Sequence, residues 1–197
     1  MCNIATYNGP DRAAPILLEM LRRQEGLDSG FFSGIATVAD GKLHVRKVEG
    51  SVDVLVRDTD AADLPGTIGI IHGRTPGTGR EKWAHPFIST DGKFALAENG
   101  TTGAFNDNPK YCRLAAELED QGYRFRSRCE EKDENHCRMP DGTWVHCSDM
   151  ITQLMERQIK ANGGDIVQGM TSALAIAPVG VGAGLVPADH QDRKSGV

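Results

Sequence analysis

Met1-Cys2-Asn3-Ile4-Ala5-Thr6-Tyr7-Asn8-Gly9-Pro10 opens the chain with a cysteine at position two and a strand-like run closed by the turn residues Asn8-Gly9-Pro10. Aminopeptidase removes a Met that precedes a small residue, which would leave Cys2 with its thiol and a free α-amine on one residue. An α-amine titrates near about 8 and a thiol is intrinsically a strong nucleophile, so one residue then supplies nucleophile and base. The same stretch also reads as a small residue starting a buried strand. Residues further along the chain have to separate the two.

Working outward, Ala13 to Gln24 carries Ile16, Leu17, Met20 and Leu21 at helical spacing. Ser33 to Ala39, the turn Asp40-Gly41 and Lys42 to Val48 form a hairpin signal. Gly69 to His72, Phe94 to Glu98 and Tyr123 to Arg126 read as strands, and Tyr111 to Gln121 and Met150 to Ala161 as helices. Ser148 or Asp149 is the expected N-cap of the last of these. Two short strands, Ala173 to Ala177 and Gly182 to Val186, are expected around a Pro-Val-Gly turn. Strands and helices that do not alternate strictly indicate an α+β fold rather than a doubly wound sheet. Gly73 to Gly79 lacks the Gly-Lys-Ser/Thr ending of a phosphate loop and is rejected as one.

The 197 residues are enough for one domain, and 22 Lys and Arg against 27 Asp and Glu give a net charge of -5. That balance argues against nucleic acid or anionic lipid as a partner. The uncharged stretch between Asp165 and Asp189 is broken by Gly169, Pro178, Gly180, Gly182, Gly184 and Pro187, so it is not read as a membrane span. With five cysteines, an odd number, and no signal-peptide pattern at the start, a reducing cytoplasm is the expected compartment.

Met1-Cys2-Asn3-Ile4, Gly69-Ile70-Ile71-His72-Gly73-Arg74, Ala84-His85-Pro86-Phe87, Glu98-Asn99-Gly100 and Ser148-Asp149 follow one another along the chain. In that order and approximate spacing they resemble the class II glutamine amidotransferases, a family of N-terminal-nucleophile glutaminase domains, over about residues 2 to 176. Leu21-Arg22-Arg23, Asp28-Ser29 and Gly34-Ile35 look like the family's first helix and following strand. The resemblance implies a four-layer αββα sandwich that hydrolyses L-glutamine to glutamate and ammonia through a Cys2 thioester and passes the ammonia to a separate synthase subunit or domain. It implies Asn99 and the Gly100 N–H as the oxyanion pair, chemistry that suits an amide side chain followed by a residue without Cβ. It also implies Arg74 on the substrate carboxylate, Asp149 on its ammonium, and Thr75, Thr78 and His85 around them. Outside the family, Asn99-Gly100 reads as a hairpin turn, Arg74 as a loop arginine and Asp149 as a helix cap.

The chain departs from the family pattern in three places. Thr75-Pro76-Gly77-Thr78 follows Arg74, Glu98 stands where a His is usual, and Gln24-Glu25-Gly26-Leu27 replaces an Arg-Gly pair. A Cys/His-rich hairpin at about 127–147 is an insertion. Its Cys129, Cys137, His146 and Cys147, with His136, leave open a zinc site, a solvent-facing hairpin over the glutamine pocket, or a disulfide. Otherwise no cofactor is implied. Cys112 reads as a small buried hydrophobe. The expected organisation is one glutaminase domain over 2–188 and a polar tail over 189–197, the sandwich lacking its last strands or completed by a synthase subunit or a second copy. Two other functions stay open: a different N-terminal-cysteine amidase, and an inactive glutamine-binding regulatory subunit that retains Met1.

Overall fold

The computed structural model describes residues 2–26, 29–77, 80–100, 105–132, 136–178 and 182–188. Strand β1 (Asn3–Asn8) runs into helix α1 (Ala13–Gln24). The hairpin β2 (Phe32–Ala39) and β3 (Lys42–Glu49) turns on Asp40 and Gly41, at φ 49° and 70°. Both positive values are what a two-residue hairpin connection requires. Helix α2 (Val52–Asp58) begins where Ser51 Oγ accepts the Val54 N–H. Then follow β4 (Ile68–Arg74), β5 (Phe87–Ile88), β6 (Phe94–Asn99) and α3 (Pro109–Asp120). The chain continues with β7 (His136–Arg138), β8 (Trp144–His146), α4 (Cys147–Ala161), α5 (Ile166–Ile176) and β9 (Gly182–Pro187).

Among the described residues the strands form two main antiparallel sheets, in the orders β1-β4-β2-β3 and β5-β6-β9, and β7 pairs with β8 separately. Alternation along the strands determines what each face meets. Ile35 and Ile71 join Leu17, Leu21, Val52 and Leu55 beneath α1 and α2. Their neighbours Ala36 and Ile70 point the other way and meet Ala95 and Ala97 of β6. From β6, Phe94 and Leu96 face Leu118 of α3, Met150 and Leu154 of α4 and Ala173 of α5. The layers therefore run helix, sheet, sheet, helix, the expected αββα sandwich, and alanines at the sheet-to-sheet contact keep the two sheets close.

Three local expectations change. Ala173 to Ala177 lies at the end of α5 and beyond it rather than in a strand, because Gly169, Ala173 and Ala177 recur every four residues and form its buried stripe, and Asp165 caps the N-terminus by accepting the Gln168 N–H at 3.0 Å. Tyr123 to Arg126 is irregular. The N-cap of α4 is His146, whose Nδ1 accepts the Ser148 N–H at 3.1 Å, while Ser148 and Asp149 lie inside the helix and are buried. Helix α2, missed in the sequence, is seven residues long with only Val52 and Leu55 buried, too short to display a helical period. The turn at 179–181 and the tail at 189–197 lie outside the described residues.

Gly169 allows α5 to lie against α4, since a Cβ there would sit 2.6 Å from Ile159 Cα. Helix propensity alone would make Gly169→Ala stabilising by about 1 kcal/mol. Overpacking against backbone costs about 1–3 kcal/mol, so the expected net result is a lower Tm in thermal unfolding. A higher Tm would show that the two helices are not in this close contact.

Candidate active site

Cys2 stands just before β1 and Asn99 at the end of β6, on different sheets. The closeness of the sheets brings them together, and Asn99 Nδ2 donates to the Cys2 carbonyl oxygen at 2.7 Å. The Cys2 thiol lies 3.6 Å from Thr75 Oγ1, just past β4. Asn3 ties the start of β1 to the end of α1 by donating to the Gln24 carbonyl and to Ser29 Oγ, each at 2.6 Å. Gly100 has φ 123°, a conformation that side chains with a Cβ rarely adopt, so its backbone reaches this position because it is glycine. In the unprocessed chain the Cys2 nitrogen is in a peptide bond, so the base exists only once Met1 has left. Met1 itself lies outside the described residues.

Arg74 ends β4 and is 2% exposed, with its guanidinium 5.2 Å from the Phe32 ring and 5.8 Å from the Trp83 ring. The two aromatic faces brace the guanidinium and hold its orientation. His85 is buried behind it in an aromatic cluster. Its ring lies 4.1 Å from that of His72, 4.8 Å from Phe87 and 5.3 Å from His146. Among the described residues neither nitrogen of His72 or His85 has a hydrogen-bond partner, and burial pushes all three histidines toward the neutral form, His72 down to about 3. Lys47 of β3 places its ammonium 4.6 Å from the centre of the Phe87 ring, and burial lowers it to about 8 against the opposing pull of Asp149.

Asp149, expected at the substrate ammonium, is buried in this structure. Its side chain is fully enclosed, with Oδ2 accepting from Ser127 N and Oγ at 2.9 and 2.8 Å and Oδ1 from Gln153 Nε2 at 2.8 Å. Burial raises its pKa, while these donors and Lys47 oppose the rise. In this structure Asp149 therefore anchors the loop at Ser127 to α4 rather than facing open space where an ammonium could approach. The sequence reading missed several supporting residues. Trp83 is wholly buried and donates Nε1–H to the Ser127 carbonyl at 2.7 Å; being one of two tryptophans, beside Ala84-His85, was its signal. Ser148 Oγ donates to the Glu98 carboxylate, tying the residue before Asn99 to the first turn of α4. The departure from His at Glu98 was the visible sign of that contact. Thr78 lies outside the described residues.

The zinc alternative gains no support among the described residues. Cys129 Sγ donates to the Glu131 carbonyl, His146 Nδ1 caps α4, and Cys137 and Cys147 are buried with Met150 and Leu154. Among the described residues no three His, Cys, Asp or Glu side chains converge on a metal position. The cause is the hairpin register, which pairs His136 with His146 and Cys137 with Val145 and spreads the ligands over both faces. None of the five cysteines is in a disulfide. Nor is the hairpin solvent-facing, since Cys137, Met139 and Val145 pack into the core beneath α3 and α4.

Two sheets between helical layers, with a cysteine leading into the first strand, define the N-terminal-nucleophile class of fold. Among solved structures, the glutamine phosphoribosylpyrophosphate amidotransferase from B. subtilis, complexed with ADP and GMP, matches with TM-score 0.68 at 17% identity over 95% of this chain and 35% of that one. A structure described as the allosteric regulatory enzyme of purine biosynthesis matches with TM-score 0.66 at 16% identity over 95% of this chain and 36% of that one. No family model matches the chain. Glutamine–fructose-6-phosphate aminotransferase (isomerizing) of Pyrococcus horikoshii is 38% identical over 131 residues, 64% of this chain and 20% of that protein. The protein of the same name from Thermus thermophilus is 30% identical over 198 residues, 98% of this chain and 28% of that protein. The chain belongs to the class II glutamine amidotransferase domains, and it spans between a fifth and three tenths of the length of these curated relatives.

The buried histidines make stability depend on pH with a definite sign. A histidine held neutral in the fold binds fewer protons than its unfolded form, so its contribution is complete above an unfolded value of about 6.5 and is lost as pH falls below it. For His72 the loss is about 1.4 kcal/mol per pH unit between about 6.5 and its folded value of about 3. Asp149, with a raised pKa, works in the opposite direction at lower pH. Denaturant unfolding from pH 7.5 to 5.5 is therefore expected to show a falling midpoint, with a shallower fall in His72→Phe; equal slopes would mean that His72 is not held neutral.

Proposed function

We propose that the chain hydrolyses the side-chain amide of L-glutamine to glutamate and ammonia. The observation that carries this reading is the meeting of Cys2 and Asn99 across the two sheets, with Gly100 at φ 123° beside them. Once Met1 is removed, the Cys2 α-amine takes the thiol proton as Sγ attacks the amide carbon, and it returns that proton to the departing ammonia. An amide nitrogen carries two hydrogens, so Asn99 Nδ2 keeps one on the Cys2 carbonyl and offers the other to the oxyanion, with the Gly100 N–H as second donor. Thr75 Oγ1 orients the thiol. Arg74 takes the substrate carboxylate bidentately, braced by Phe32 and Trp83. His85 lies at that end of the site, and Thr78, outside the described residues, keeps the substrate-binding role that the family resemblance gives it. Water attacks the thioester and releases glutamate, restoring Cys2.

The ammonia acceptor in this reading is a synthase domain or subunit, or a site formed with a second copy of the chain, in a cytoplasm that keeps the thiol reduced. Among the described residues no helix is long and apolar enough to cross a membrane. The enclosure of Asp149 favours a second reading: an N-terminal-cysteine amidase whose substrate carries no ammonium. A regulatory subunit that binds glutamine without turnover would retain Met1, which intact mass detects.

Purified protein lacking Met1 should release ammonia from glutamine and be alkylated once, at Cys2, by a glutamine-like electrophile. Cys2→Ala should do neither, and Asn99→Ala should lose about 10²–10³ in kcat with a smaller change in KM. Turnover surviving in Cys2→Ala sinks the proposal. Faster turnover of N-acyl amides than of glutamine moves the assignment to the second reading.

A further inference from the structure

Away from this site, Cys112 of α3 and Cys137 of β7 bring their thiols into contact. Cys112 Sγ accepts the backbone N–H of Arg138 at 3.3 Å, and its side chain packs against the core cluster that holds Cys137, the residue before Arg138. Two consecutive residues of β7 thus lie against Cys112. Cys112 is half-buried and lines a pocket of about 610 Å³ with Asp107, Arg113, Arg138 and Met139, whereas Cys137 is fully enclosed. One thiol is accessible and the other lies behind it, the arrangement of an attacking and a resolving pair.

We propose that Cys112 and Cys137 form a redox-active dithiol, with Cys112 oxidised by hydrogen peroxide through the pocket and Cys137 closing a disulfide that links α3 to the β7–β8 hairpin. The Cys112 thiolate attacks one peroxide oxygen, the O–O bond breaks, and the other oxygen leaves as water after taking a proton, giving a sulfenic acid. Cys137 sulfur then attacks the Cys112 sulfur, the S–O bond breaks, and the hydroxyl leaves as a second water with the Cys137 proton. Two thiols lose two electrons and two hydrogens in all, and peroxide is reduced to two waters.

Electrostatics supports the division of roles. The neighbouring Cys137 thiol and the Arg138 N–H lower Cys112 to about 6, with His136 adding to the pull, while burial and Asp107 oppose it. Cys137, beside Cys112 and enclosed in the core, is pushed well up, which keeps its proton until the sulfenic acid forms. Cys129, also half-buried, is raised by burial and serves as an internal comparison.

The test is peptide mapping without reduction after stoichiometric hydrogen peroxide, in a Cys2→Ser background that removes the other candidate nucleophile. A Cys112–Cys137 linked peptide with a loss of two hydrogens, reversed by dithiothreitol, is the expected result. At pH 7 Cys112 should be alkylated by iodoacetamide about tenfold faster than Cys129, because most of it is thiolate. Cys137→Ser should arrest Cys112 as a sulfenic acid trapped by dimedone, and Cys112→Ser should leave Cys137 reduced. A Cys137–Cys147 link, over-oxidation of Cys112 without a crosslink, or reaction no faster than at Cys129 would each overturn the proposal. None of these readouts depends on glutamine turnover.

Discussion

Contact between the two sheets through small side chains is the constraint on which the site rests. Ala36 on one sheet and Ala95 and Ala97 on the other leave the layers close enough for Asn99, at the end of β6, to hydrogen-bond Cys2, at the start of β1, at 2.7 Å. Larger residues there would separate Cys2 from the Asn99 amide across the gap. The same closeness recurs where β2 passes the loop that carries His85: a Cβ on Gly34 would fall 2.0 Å from the His85 carbonyl oxygen. Close packing of this kind transmits small changes, because an interior without voids has no room to absorb them.

The space behind Arg74 holds more titratable groups than a core ordinarily tolerates. Three neutral histidines, a half-buried lysine and an enclosed aspartate lie within one cluster, and each is shifted by burial toward its uncharged form. Lys47 and Asp149 partly offset one another, and Asp149 also draws on Ser127 and Gln153. Burying charge without partners is costly, which explains why Asp149 spends its oxygens on neighbouring donors. Concentrations of perturbed groups of this sort characterise functional sites.

Much of the architecture was legible locally. The helix at Ala13–Gln24 and the hairpin around Asp40-Gly41 follow from apolar spacing and turn chemistry, which act over a few residues. The segment at 173–177 was misread because alanine and glycine at every fourth position carry little hydrophobic signal, although they suit one helix lying against another. For the site, the order of short motifs around Cys2, Arg74 and Asn99 was readable. That Asp149 is enclosed was not, since it depends on Ser127, which is distant in sequence and unremarkable by type.

The sequence alone determined the chemistry available: a cysteine at position two, an Asn-Gly pair suited to an oxyanion, an arginine for a carboxylate, and elements in the order of an αββα sandwich. Tertiary structure alone decided which of these residues meet. It set Cys2 against Asn99, turned Asp149 inward, dispersed the Cys/His residues of the described hairpin over both its faces, and laid Cys112 against the strand that carries Cys137. Residue type specifies what a group can do. Its partners, burial and pKa depend on contacts between residues tens of positions apart, and those exist only once the sheets have packed.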